Sequence, residues 1–109
     1  MIKVAVYKDG QGIYKGFKSL GHAGYAASGQ DIVCSAVSAL VLNTINSIET
    51  FTKDLMKIKT DEKNGLIEVR FEAPVSKDTE LLMNALVLGL ETIQNEYKNN
   101  YIHFKIKEV

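Results

Sequence analysis

Apolar and polar residues alternate along four short stretches of the chain, with the two-residue period of a β-strand that has one buried face. These stretches are residues 2–7, 56–59, 67–72 and 101–106. A fifth run, residues 13–20, follows the turn sequence Asp9-Gly10-Gln11-Gly12 and is predicted to pair with the first strand as a hairpin. A second turn, at residues 61–65, predicts another hairpin from the second and third alternating stretches.

Two longer segments carry apolar residues at the three- and four-residue spacing of a helix. The first follows Asp31, which offers an N-cap or first-turn carboxylate, and is predicted to end near residues 52–54. Its apolar stripe consists of Val33, Val37, Leu40, Val41, Thr44, Ile48 and Phe51. The second follows Pro74 and a cap at Ser76 or Asp78, and ends at Asn99-Asn100. Its stripe consists of Leu82, Leu86, Gly89, Leu90, Ile93 and Tyr97.

The order of these elements is ββαββαβ, which predicts an α+β fold with two helices packed on a mostly antiparallel sheet. The chain has 109 residues, of which 46% are hydrophobic, so it has enough apolar side chains for one small core. We therefore expect a single domain that spans residues 1–109.

Charge and cysteine content exclude several classes of protein. Thirteen basic and thirteen acidic residues cancel, which argues against a general nucleic-acid binder but does not exclude a local basic patch. A single cysteine allows no intramolecular disulfide and favours a reducing compartment. The N-terminus is too short and too alternating for a signal peptide, and no apolar run approaches the roughly 20 residues of a membrane helix. We expect a cytoplasmic protein with no membrane partner and no direct nucleic-acid partner.

The chemistry-bearing residues lie between Gly21 and Ser38. Cys34 is predicted about three residues into the first helix, where free backbone N–H groups and the positive end of the helix dipole favour a thiolate. His22 precedes a predicted loop, up to residue 30, that is long enough to bring its imidazole to the cysteine. The pair predicts a cysteine nucleophile with His22 as general base, and with N–H groups around residues 33–35 holding the oxyanion.

Other residues of this segment are candidates for supporting roles. Asp31 either caps the helix or orients His22. Ser38 follows Cys34 by one turn, and it either hydrogen-bonds a catalytic group or bonds back to the carbonyl of Cys34. Gly21 allows close approach of the backbone. The loop is expected to close over a substrate, and its contact residues are Ala23, Gly24, Tyr25 and Gly29.

Metal and cofactor chemistry is not expected. No closely spaced pair of metal ligands occurs in the sequence, so a site built from His22, Cys34, Asp31 and His103 has little support. His103 falls on the polar side of the last predicted strand and is expected to be solvated.

The stretch from Gly21 to Leu40 resembles the signature of the ribosomal-processing cysteine protease family, Prp. The resembling residues read GHAGYA, then GQDIVC, then AVSAL, and the length and element order of the whole chain fit as well. The resemblance implies that His22 and Cys34 are catalytic, and that Gly21, Asp31 and Ser38 occupy other motif positions. Ser replaces the common Ala directly after the nucleophile, a small change that we expect to be tolerated.

The resemblance also implies an activity and an assembly. Such an enzyme is a cytoplasmic endopeptidase that removes the N-terminal extension of a large-subunit ribosomal protein, the one numbered twenty-seven. It cuts an apolar, aromatic-rich motif after a small residue, and it forms a homodimer. The leucine-rich second helix agrees with a dimer, since so small a core has little room for all of its leucines.

Two other functions remain open at this point. One is a non-enzymatic, ribosome-associated binding module in which Cys34 is merely buried, as free cysteines most often are. The other is a different thiol chemistry, such as acyl transfer or a redox relay, although a relay usually needs a second cysteine.

Overall fold

The computed structural model describes residues 1–21, 28–97 and 100–109, with the backbone alone for residues 28–31. Within these residues the chain forms five strands and two helices. They are β1 (Ile2–Lys8), β2 (Tyr14–Leu20), α1 (Ser28–Phe51), β3 (Met56–Asp61), β4 (Leu66–Phe71), α2 (Lys77–Glu96) and β5 (Ile102–Glu108). The predicted order ββαββαβ is confirmed.

The strands form one mixed sheet in the order β3-β4-β2-β1-β5. The two predicted hairpins, β1–β2 and β3–β4, are antiparallel, and so is the β2–β4 pair that joins them. The last strand, β5, reaches the far edge after α2 and pairs with β1 in parallel. Two parallel strands need a crossover connection between them. Helix α2 is part of the connection that brings β5 parallel to β1.

The core fills the space between the two helices and one face of the sheet. Alternate strand residues point into it, as the two-residue period predicts, and the largest of these is Phe17. The fully buried sheet residues are Val4, Val6, Phe17, Val69 and Ile102, and those of the helices are Val33, Val37, Val41, Ile48, Met83, Leu86 and Leu90. Each such side chain contributes about 1.5–3 kcal/mol by leaving water.

Helix α1 begins at Ser28, three residues before the predicted start at Asp31. Residues 28–30 are therefore helical where a loop was predicted. The loop was predicted partly because of Gly29, since glycine in a helix costs about 1 kcal/mol relative to alanine. The long apolar stripe that α1 buries against the sheet outweighs that local cost.

The apolar character of α1 exceeds what the sequence pattern suggested. Its segment from Ile32 to Phe51 has a mean hydropathy of 1.5, enough by length and composition to cross a membrane. In the fold, however, Val33, Val37 and Val41 of this segment are buried on the sheet. A core helix passes the same test of length and composition, and 33% of the segment that passes it here is buried inside the fold.

Helix α2 begins after the predicted cap residue Ser76. The Ser76 hydroxyl accepts a hydrogen bond from the Thr79 N–H at 3.3 Å, and it donates to Asp54 Oδ2 at 2.7 Å. The buried stripe of α2 is Thr79, Met83, Leu86 and Leu90. Thr79 and Met83 were not in the predicted stripe, although they continue its spacing toward the N-terminus.

Candidate active site

A pocket of about 550 Å³ lies between the first turns of α1 and one end of the sheet. Cys34 is half-buried and lines this pocket, with its inner side against the core. Most of the wall is apolar, and it is formed by Ile2, Val37, Val41, Leu66 and Ile67. The only cysteine of the sequence is thus accessible from an apolar cleft large enough for a substrate side chain.

One face of α1 borders the pocket. Cys34, Val37, Ser38 and Val41 all line it, and their spacing of three and four residues is that of a single helix face. Ser38 therefore lies one turn after Cys34 on the same face, as the sequence predicted. Ser19, at the end of β2, lines the pocket as well and was missed. Its inward direction follows from the two-residue alternation with Phe17, but its place at the pocket depends on the pairing of β2 with β4.

Gly21 is fixed at the base of the pocket. Its N–H donates a hydrogen bond to the Gly65 carbonyl at 3.2 Å, and its φ is 125°, a value that favours glycine. A Cβ atom here would lie 2.7 Å from the Met1 carbonyl oxygen. The prediction that Gly21 permits close backbone approach is confirmed, and the residue bonded to Gly21 in the sequence is His22.

The β3–β4 turn forms the opposite wall, and among the described lining residues it carries the charged groups, Asp61 and Glu62. The Asp61 carboxylate accepts hydrogen bonds from the Lys63 N–H at 3.1 Å and from Asn64 Nδ2 at 2.7 Å, which hold the turn in shape. The sequence predicted this turn but not its place at the site. That place depends on the pairing of Leu20 with Leu66 across β2 and β4, which no local pattern reveals.

Several predicted site residues fall elsewhere. His22, Ala23, Gly24 and Tyr25 lie outside the described residues. Gly29 belongs to the first turn of α1 instead of the predicted loop. Asp31 is a first-turn residue of α1, which is one of its two predicted places, and its side chain is outside the described atoms. His103 is exposed on the sheet face away from the helices, as expected.

The early start of α1 corrects one part of the predicted chemistry. Cys34 is the seventh residue of the helix, not the third, so residues 33–35 lie beyond the first turn. Their N–H groups face carbonyls four residues earlier, and the free N–H groups belong to residues 28–31. The predicted oxyanion hole around residues 33–35 is therefore wrong, and the helix dipole acts on Cys34 less than expected.

A metal centre has no support from the described part of the chain. It contains no group of three or more His, Cys, Asp or Glu side chains that could hold an ion.

Comparison with known proteins identifies the family. A family model described as "Cysteine protease Prp" matches residues 1–103. The chain belongs to the Prp family. The ribosomal processing cysteine protease Prp of Bacillus subtilis (strain 168) is 34% identical over 90 residues, which cover 77% of this chain and 79% of that protein. The resemblance seen in the sequence is confirmed.

Solved Prp structures share the fold. A crystal structure of Prp from S. aureus in complex with a substrate peptide has a TM-score of 0.90 and 27% identity, covering 98% of this chain and 100% of that chain. A second, with a covalently linked product peptide, has a TM-score of 0.87 and 28% identity over the same shares. The chain is a cysteine protease, and the alternative of a non-enzymatic module is wrong.

Proposed function

We propose that this protease is a cytoplasmic endopeptidase that removes the N-terminal extension of the large-subunit ribosomal protein numbered twenty-seven. Cys34 is its nucleophile and His22 its general base. The observation that carries the proposal is that the sole cysteine of a cysteine protease lines an apolar pocket. The names of the relatives, which are ribosomal processing proteases, support the class of substrate.

The assignment of Cys34 follows by elimination. A cysteine protease needs a thiol nucleophile, and the sequence contains one cysteine. Cys34 is half-buried at the pocket and not sealed in the core, so a peptide carbonyl can reach its sulfur.

The assignment of His22 rests on its attachment to Gly21. Gly21 lines the same pocket as Cys34 and is held there by the Gly65 carbonyl and by close packing on Met1. Consecutive Cα atoms are about 3.8 Å apart, so the position of Gly21 limits the distance between the pocket and the residue that follows it. The other histidine, His103, belongs to the opposite face of the sheet.

The reaction then follows from the two groups. His22 accepts the thiol proton as the Cys34 sulfur attacks the carbonyl carbon of the scissile bond. The resulting oxyanion collapses, the peptide C–N bond breaks, and His22 returns the proton to the leaving amine. A water molecule, deprotonated by His22, hydrolyses the thioester and frees the thiol. The helix dipole stabilises a thiolate at Cys34 less than the sequence predicted, so formation of the thiolate depends mainly on the His22 imidazole.

The shape and lining of the pocket suit the proposed substrate. Its volume of about 550 Å³ lies in the range of roughly 300–1,000 Å³ that is usual for ligand sites. The apolar wall formed by Ile2, Val41 and Leu66 favours an aromatic or aliphatic side chain. Recognition by such a wall needs no charge steering, which agrees with the neutral net charge of the chain.

The test is cleavage of a peptide that matches the N-terminal extension of the ribosomal protein, followed by mass spectrometry. We expect one cut by the wild type and none by Cys34→Ala. We expect His22→Ala to reduce kcat by about 10²–10⁴-fold, the usual contribution of a general base. His103→Ala is the matched control and is expected to cleave like the wild type. Cleavage by folded Cys34→Ala, or equal rates for the two histidine variants, would contradict the assignment.

The proposed enzyme is a homodimer formed through α2. Leu81 and Leu88 are one heptad apart on the outer side of this helix, and they are 68% and 66% exposed. Beside them runs a groove between the helices whose walls include the small residues Ala36, Ala39 and Gly89. Small residues allow a partner to approach closely, and a dimer would remove the two leucines from water.

A further inference from the structure

The face of the sheet that is turned away from the helices, called here the open face, concentrates the basic residues of the chain. The strand register places one row of residues across all five strands: Lys57, Arg70, Gly16, Tyr7 and Lys107. The next row is Lys59, Glu68, Lys18, Ala5 and Lys105. The third row is Asp61, Leu66, Leu20, Lys3 and His103, and its two leucines are half-buried.

The charges of the open face do not cancel. Within these described strands it carries seven Lys and Arg side chains but two carboxylates, Glu68 and Asp61. The sequence has thirteen of each sign, so the remainder of the chain holds six basic and eleven acidic residues. A chain with no net charge is therefore strongly polarised, with an excess of five positive charges on one face.

The basic side chains are available to a ligand. All seven are exposed except Lys18, which is half-buried. Glu68 is 4.0 Å from the Arg70 guanidinium, while Asp61 is occupied by the backbone and side chain of its own turn. Lys18 and Lys59 flank Glu68 in the second row. The remaining lysines of the open face are not paired with a carboxylate in their rows.

The open face is also concave. A hollow of about 380 Å³ lies over β1, β2 and β5, and its cationic lining is Lys3, Lys18, Lys105 and Lys107, with His103 at one side. Lys105 and Lys107 occupy successive positions on the same face of β5, about 6.7 Å apart, whereas Lys18 and Lys105 flank Ala5 across two strand spacings, about 10 Å. Such a grid can meet several phosphates of one backbone at the same time.

We propose that the open face binds the phosphate backbone of double-helical RNA. The charge excess fits a polyanion, and it disfavours a second copy of the same face because like charges would meet. A membrane surface fits less well, since among the described residues of this face no large apolar side chain is exposed for insertion. The choice of RNA among polyanions rests on the proposed function, because a ribosomal protein binds RNA and a protease that processes it would work close to RNA.

Recognition would read shape and charge and not base sequence. Base-stacking sheets present several exposed aromatic rings, whereas the rings of the three rows are Tyr7, which is half-buried, and a single exposed imidazole, His103. The Arg70 guanidinium already lies over its ring, 5.2 Å from the centroid, in the space left by Gly16. The expectation that this protein has no nucleic-acid partner rested on net charge, and the distribution of the charges points the other way.

The geometry leaves the protease site accessible. Cys34 and its pocket lie on the helix side of the sheet, so RNA on the open face would not cover them. We expect the open face to hold the enzyme near an RNA-bound substrate while the pocket remains free for its N-terminal extension.

The test measures fluorescence anisotropy of a labelled RNA duplex of about 20 base pairs, long enough to span the sheet. We expect a dissociation constant of about 1–100 µM near physiological salt, and a loss of affinity of about 100-fold between about 50 and 200 mM salt, as for four phosphate contacts. We expect Lys105→Glu/Lys107→Glu on β5 to weaken binding at least tenfold and to reduce the salt slope by about two.

Two further variants make the result specific. Lys57→Glu/Lys59→Glu on the opposite edge, β3, is expected to weaken binding similarly, and it serves if the β5 variant does not fold. Lys53→Glu/Lys77→Glu changes the net charge equally outside the open face and is expected to bind like the wild type. Equal binding by all variants, no binding by the wild type, or binding to anionic phospholipid vesicles but not to RNA would overturn the proposal.

Cleavage of the short free peptide separates this proposal from the proposed function. All three double variants are expected to cut that peptide at the wild-type rate, because none changes the Cys34 pocket. Failure of peptide cleavage by the wild type would count against the protease assignment, whereas RNA binding is measured without it.

Discussion

Gly21 joins the sheet to His22, the proposed general base, through contacts that a side chain would break. A Cβ atom would lie 2.7 Å from the Met1 carbonyl oxygen, and the φ of 125° is strained for any other residue. We expect Gly21→Ala to destabilise the fold by about 1–3 kcal/mol. We also expect kcat/KM for the peptide to fall at least tenfold, since His22 would shift with its neighbour. Urea unfolding and steady-state kinetics measure the two effects.

Gly12→Ala is the control for backbone strain alone. Gly12 has a φ of 80°, but a Cβ atom there has no other atom within 4 Å. We expect Gly12→Ala to lose some stability and no activity. If both variants lost activity equally, close packing at Gly21 would not be what positions His22.

Ser38 is the described hydroxyl group one turn after Cys34 on the pocket face of α1. If its hydroxyl orients His22 or the peptide, Ser38→Ala lowers kcat about tenfold and leaves the stability unchanged within about 0.5 kcal/mol. Ser35→Ala is the matched control, because Ser35 is exposed and is not part of the pocket wall. Equal kcat values for the two variants would assign Ser38 to packing.

The residue scale is where the sequence was most informative about chemistry. The shared helix face of Cys34 and Ser38 was predictable because helical spacing is a local rule. The close backbone approach at Gly21 was predictable from the conformational freedom of glycine alone. Ser19 and Glu62 were beyond reach, since their place at the pocket depends on the pairing of β2 with β4. Such pairing joins residues that are more than forty positions apart in the sequence.

At the scale of the elements, the loop after α1 is tied to the start of α2. The Asp54 carboxylate accepts hydrogen bonds from the Ser76 N–H at 2.9 Å and from its hydroxyl at 2.7 Å. Hydrogen bonding from Thr79, and then from Ser76, holds the pKa of Asp54 below its ordinary value despite some desolvation. The two helices are thereby fixed relative to each other at one end.

This lowered pKa predicts how stability changes with pH. The folded state binds the Asp54 proton more weakly than the unfolded state, so the carboxylate stabilises the fold above its unfolded pKa of about 4. The stabilisation is lost as the pH falls through the lower, folded-state pKa. We expect Asp54→Asn to cost about 1 kcal/mol at pH 7 and to flatten the decline of stability below about pH 4. Thermal unfolding over a pH series measures this.

Asp78→Asn is the control for that series. It removes a carboxylate from the first turn of the same helix, but Asp78 has no part in the Asp54–Ser76 hydrogen bonds. We expect the Asp78 variant to keep the acid decline of the wild type. A decline that was the same in both variants would show that the Asp54 hydrogen bonds do not cause it.

The elements themselves were mostly predictable, because strand alternation, turn glycines and the Ser76 cap are local signals. The start of α1 was not, since the packing of its apolar stripe overrides the low helix propensity of Gly29. The parallel pairing of β5 with β1 was not predictable either. Which edge a last strand joins is decided by how α2 packs across the sheet.

At the scale of the whole molecule, net charge does not show how the charges are distributed. The cancellation of thirteen positive and thirteen negative charges hides their separation onto different faces. Lys18 and Lys105 are 87 positions apart in the sequence, yet both flank Ala5 in one row of the sheet. Such a surface emerges only when the strand order is known, which is why composition could not reveal it.

The outer side of α2 predicts the state of assembly. Leu88 is 66% exposed beside the groove between the helices, and a charge there would be buried without a partner in a dimer formed through this surface. We expect sedimentation velocity to show a dimer for the wild type and a monomer for Leu88→Glu. Leu55→Glu, at an equally exposed leucine outside the helices, is expected to remain dimeric.

The same variant decides whether the dimer is needed for catalysis. The described wall of the Cys34 pocket shares no residue with the groove that Leu88 borders. We therefore expect monomeric Leu88→Glu to cut the free peptide with a kcat/KM within about twofold of the wild type, a change of less than about 0.5 kcal/mol. A dimeric Leu88→Glu would place the interface elsewhere. A folded but inactive monomer would show that the partner subunit completes the site.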